Sequence, residues 1–111
     1  KISPNNYYNH LKYYKTPIFN IQQKAYFVSI LLECSAIQDQ NTRNTIINEL
    51  PSDIKNTIQR HPTGRVDVNN IVSRCQDFEN GLSELMIVLE SIEGSSLSMK
   101  KIKKFLSQIK K

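Results

Sequence analysis

Histidine and cysteine are scarce in this chain. His10, Cys34, His61 and Cys75 are the full set, and no two lie at the short spacing that structural zinc sites use. A tetrahedral metal centre is therefore not expected. Glycine occurs only at 64, 81 and 94, which leaves no Walker loop, no G-x-G-x-x-G and no G-x-S-x-G; H-E-x-x-H is missing too. Phosphate-cradling and the common hydrolase chemistries have no sequence basis, and no cofactor is implied. Apolar runs fall well short of the roughly 20 residues that cross a bilayer, so no membrane span is expected. With no signal-like start, the two cysteines are expected as reduced core residues of a cytoplasmic protein rather than as a disulfide.

Acidic residues are absent from both ends. Residues 1–24 hold four lysines and residues 100–111 hold six, with no acid in either stretch. Between them five basic residues face ten acidic ones, so the middle is at −5 although the whole chain is at +5. Segregated charge favours self-association or a similar module as partner, whereas uniform positive charge favours a polyanion. Both remain open at this point.

What is present is helical periodicity. In 111 residues there is room for one core, and the pattern divides into residues 1–17, a Tyr/Lys-rich extension or linker, and residues 18–111, a helical domain. Ile21, Tyr26, Phe27, Ile30, Leu31 and Cys34 form one stripe of a first helix running from Ile18 to about Ser35, with a break over Ala36 to Gln38. Asp39 is placed to cap a second helix from Gln40 to Leu50, which Pro51 ends. A short third helix follows from Ser52 or Asp53 to about Arg60, closed by the turn His61-Pro62-Thr63-Gly64. Asp67 is read as the cap of a fourth helix carrying Val68, Ile71, Val72, Cys75 and Phe78. Asn80-Gly81 breaks it, glycine readily taking the left-handed conformation. The fifth helix, Leu82 to Ile92, is apolar over more than half its circumference and is expected at the centre. Gly94 stops it, and Ser95, Ser96 or Ser98 caps a sixth with Leu97, Ile102, Phe105, Leu106 and Ile109 inward. No stretch alternates as a strand does, so the expectation is an all-α, compact antiparallel six-helix bundle.

The run Arg65-Val66-Asp67-Val68-x-x-Ile71-Val72-x-x-Cys75, then Gly81-Leu82-x-x-Leu85 and Leu89-x-x-Ile92-Glu93-Gly94, resembles the effector-associated domains of bacterial conflict systems, specifically the second type. Ile37-Gln38-Asp39-x-x-x-Arg43 upstream is similar to that family's opening of its second helix. The resemblance spans roughly residues 20 to 110 and leaves the Tyr-rich start unmatched. It implies a death-like helical fold and a non-enzymatic adaptor, appended to effectors or sensors such as proteases, nucleases, NTPases or pore-forming proteins. Such an adaptor recruits partners carrying a matching copy by like-with-like contact.

Cys75, with His10 or His61 as base, has the composition of a nucleophile pair, but it sits on the stripe of Ile71, Val72 and Phe78 and reads as a packed thiol, as does Cys34. Acidic residues such as Asp77, Glu79, Glu90 and Glu93 read first as a solvated face. The lysines at 100, 101, 103, 104, 110 and 111 admit three readings: a solvated face that opposes the helix dipole, an interface patch, or a phosphate-binding surface. The candidate partner-binding set is therefore Lys100, Lys101, Lys103 and Lys104 against Asp77, Glu79, Glu84, Glu90 and Glu93. A small basic helical nucleic-acid-binding domain is the alternative function.

Overall fold

The computed structural model describes residues 19–109. The extension expected over residues 1–17, including His10, lies outside the described residues, as do Lys110 and Lys111. Seven helical segments and no strand occur among the described residues. The Cα radius of gyration of 13.0 Å is that of a packed globule of this length.

Helix α1, Ile21–Leu31, starts on a capping box: Asn20 accepts from the Gln23 amide at 2.8 Å, and the Gln23 side chain accepts from the Asn20 amide at 2.9 Å. It ends four residues earlier than its periodicity predicts. A single turn, α2 (Ser35–Gln38), occupies the stretch expected to break, because the Glu93 carboxylate accepts the Ala36 amide at 2.9 Å. That cap comes from a distant helix and has no local signature, which accounts for seven segments where six were expected. Helix α3, Gln40–Asn48, is capped as expected by Asp39, which accepts from the Thr42 amide at 2.8 Å.

The next segment, α4 (Ser52–Lys55), is one turn long and not the two turns expected. Residues 56–61 leave the helix because the following helix, α5 (Gly64–Gln76), holds them from the side. Asn70 donates to the Gln59 carbonyl at 2.9 Å, and Arg74 donates to the Thr57 hydroxyl at 2.8 Å. Asp67 is not a cap: α5 begins three residues before it, and its side chain turns inward. Helix α6, Gly81–Glu93, packs against α2, α3 and α5 and is central, as its apolar girth predicts. Helix α7, Leu97–Gln108, is capped by Ser96 and packs on α1.

The α5–α6 corner corrects another expectation. The left-handed residue is Asn80, with φ 62°, not Gly81. Gly81 is needed for space, since a Cβ there would sit 1.9 Å from the Cys75 carbonyl oxygen. The core is built from Phe27, Ile30, Leu31, Leu82, Leu85 and Met86 with Leu89, Met99 and Ile102. Phe19 and Tyr26 extend it as an aromatic cluster, with Phe19–Phe27 and Tyr26–Phe105 ring centroids each 5.0 Å apart.

Four expected core residues are exposed: Ile21, Tyr26, Ile92 and Leu97. At 100° per residue Ile21 and Tyr26 flank the buried arc of α1 on opposite sides, and Val28 fills the place between. Ile92 and Leu97 lie at the adjoining ends of α6 and α7, where the helices turn at the surface.

Candidate functional site

Charged groups are distributed over an interior hub and an outer surface, and only the second was expected. Arg43 belongs to the stripe of Ile46 and Ile47 on α3; Asp67 belongs to that of Ile71 and Cys75 on α5. Both follow their stripes inward. Arg43 is 4% exposed and Asp67 0%. Arg43 Nε donates to Asp67 Oδ2 at 3.0 Å and its Nη1 to the Ile37 carbonyl at 2.7 Å. Arg60 grips the same carboxylate with Nε and Nη2, each at 2.8 Å, and the His61 amide completes the shell at 3.0 Å. The hub thus ties α2, α3, the 56–61 segment and α5 to one carboxylate. Opposite charges placed on two apolar stripes were the signal available in the sequence.

Burial pushes the Asp67 carboxyl up, but hydrogen bonds from Arg60, the His61 amide and Arg43 outweigh it and hold it down at about 2. The Ala36 amide and Ser96 hydroxyl likewise lower Glu93, and Thr42 lowers Asp39. A carboxyl with a depressed folded-state value stabilises the fold above its unfolded value and loses that contribution as pH falls through the folded one. Urea midpoints are therefore expected to hold above about pH 4 and to fall steadily toward about pH 2. An Asp67→Asn variant is expected to show a shallower decline over that window.

The thiols are poor nucleophiles. Burial, with the Glu93 and Glu33 charges behind it, pushes Cys34 up to about 12, and burial with Glu84 does the same to Cys75. Neither cysteine is in a disulfide. His61 Nδ1 accepts from the Thr63 amide at 3.0 Å. Among the described residues no three His, Cys, Asp or Glu side chains are grouped as metal ligands, and no helix is long and apolar enough to cross a membrane.

The structure separates the expected surface residues into two sets. Lys101 pairs with Glu33 at 3.1 Å and Lys103 pairs with Glu90. Asp77 pairs with Arg74 at 2.9 Å, while Glu93 accepts from Ala36, Ser35 and Ser96. Glu84 is half-buried in the first turn of α6. Glu79 is exposed at the α5–α6 corner. Lys100 and Lys104 are exposed one turn apart on α7, in line with Leu97, which is 83% exposed.

Charge reversal separates the two sets by stability. Lys101→Glu and Lys103→Glu, each of which sets like charges together, are expected to lower urea stability by roughly 0.5–1 kcal/mol apiece. Lys100→Glu and Lys104→Glu are expected to leave the midpoint where it is.

In comparison with protein families, the model described as effector-associated domain 2 matches residues 28–107. That span takes in the hub, the central α6 and nearly all of α7. Comparisons with curated proteins and with solved structures give no match.

Proposed function

The chain belongs to the effector-associated domain 2 family, and from that premise we propose that it is a non-enzymatic adaptor. On this reading it is an antiparallel, death-like helical bundle that brings a linked effector to proteins bearing a matching domain, a second copy of itself included. Its setting is the bacterial cytoplasm, in defence or signalling. The linked effector supplies the chemistry and this domain supplies the address.

The observation that carries the reading is the family match over residues 28–107. Two features support it. The buried thiols lack the exposed, electropositive surroundings of reactive cysteines. Surfaces of opposite sign coexist on one module, with Lys100 and Lys104 on α7 and Glu79 beyond α5, an arrangement suited to meeting its own kind. Single exposed charge contacts are weak, so useful recruitment takes several contacts or several copies.

A tagged copy retaining an untagged copy tests this. Capture is expected in low salt, and it is expected to weaken when Lys100, Lys101, Lys103 and Lys104 are all changed to Glu. Undiminished capture by that variant removes the lysine face from the interface. A salt-sensitive shift of DNA or RNA, lost in the same variant, moves the reading to polyanion binding.

A further inference from the structure

The hub holds two guanidiniums against one carboxylate, so it carries one excess positive charge. Arg43 is enclosed and its Nε and Nη1 are committed to Asp67 and the Ile37 and Gln38 carbonyls. The excess surfaces at Arg60, whose side chain is 35% exposed. Arg60 opens into a concavity of about 260 Å³ lined also by Gln40, Asn44, His61 and Pro62.

This cup is preorganised. The carboxylate that fixes the Arg60 guanidinium also takes the His61 amide. With Nδ1 accepting from the Thr63 amide, the nitrogen His61 has left to donate from is Nε2. Gln40 and Asn44 stand one turn apart on α3, and among the described residues their amide groups have no hydrogen-bond partner. The adjacent Asp39 carboxylate is turned onto the Thr42 amide and hydroxyl. A wall of guanidinium, imidazole and amide donors with a net positive charge suits a carboxylate.

The opposite end of α3 carries two such groups. Glu49 ends the helix and Asp53 follows in the first turn of α4; both are exposed, and neither carboxylate has a partner among the described residues. Glu49 follows Asn44 by five positions, about 7.5 Å of helix rise, and neither acid lines the cup of its own chain.

We propose that the cup receives the Glu49/Asp53 corner of a second copy, joining copies head to tail along α3. The contact rests on the homotypic reading above and supplies one surface for it. Because the giving and receiving surfaces differ, each copy keeps a free cup and a free corner, and association continues until a ring closes or a filament forms.

Light scattering on two blocked variants tests the contact. Gln40→Glu with Asn44→Glu closes the cup by repulsion; Glu49→Lys with Asp53→Lys removes the corner. Neither substitutes a hub residue, and matching thermal melts check that both fold. Each variant alone is expected to associate about tenfold more weakly than the unaltered chain. Their equimolar mixture is expected to form a one-to-one dimer, through the one intact cup and the one intact corner. Two variants that associate as well as the unaltered chain overturn the contact and leave the homotypic reading standing; blocked variants that fail to complement each other also overturn it. An unaltered chain that does not associate at all overturns the homotypic reading, and the contact with it.

Discussion

Asp67→Ala is expected to lower the folding stability by about 3–5 kcal/mol, measured as the urea midpoint at neutral pH. The size follows from what is left behind. Arg43 is 4% exposed and its guanidinium loses its carboxylate with no route to water, while Arg60, 35% exposed, swings free at little cost. Against a total of about 5–15 kcal/mol for a domain, that loss removes a fifth or more of the stability. Replacing both enclosed partners at once, as Arg43→Met with Asp67→Leu, is expected to recover most of it, since no buried charge then remains. A double-mutant cycle reads the coupling directly. Arg43 of α3 and the 56–61 segment converge on this carboxylate, and Arg43 ties in α2 through the Ile37 carbonyl, so amide exchange across α2, α3 and 56–61 is expected to rise together in Asp67→Ala.

Gly81→Ala is expected to cost about 3 kcal/mol, at the upper end of overpacking effects. Its added methyl would lie 1.9 Å from the Cys75 carbonyl oxygen and 2.8 Å from the Cys75 carbonyl carbon. These are backbone atoms that no rotamer change can clear, so α5 and α6 must separate, and α6 is the helix against which α2 and α3 also pack. Gly94→Ala is the matched control. With φ at 66° but nothing within 4 Å of the added carbon, it carries backbone strain alone, about 1–2 kcal/mol. Chemical denaturation of the two variants side by side separates a steric requirement for glycine from a conformational one.

These residues mark where local reasoning succeeds and where it stops. Asp39 and Ser96 cap as their positions suggest, because a cap is a contact with the next turn of the same chain. Asp67 has the same local appearance but a different fate. Its partner Arg43 is 24 residues away, and only the apolar spacing on each side hints that both turn inward. Glu93 looks like a surface acid and is the cap of a distant turn, Ser35–Gln38, which explains why a helical segment stands where a break is read. Lys101 and Lys103 look equivalent to Lys100 and Lys104, yet ion pairs with Glu33 and Glu90 engage them inside the molecule. The central place of α6 was legible from its girth. The cup was not, since Gln40, Asn44, Arg60 and His61 meet only through the tertiary structure.

Family membership and charge distribution together support the proposal that this domain associates with its own kind. Sedimentation velocity over a concentration series from micromolar to millimolar, at low and at high salt, tests it most directly. The mass is expected to rise with concentration at low salt and to fall back toward the monomer at high salt. A monomer at every concentration and both salt levels would contradict it.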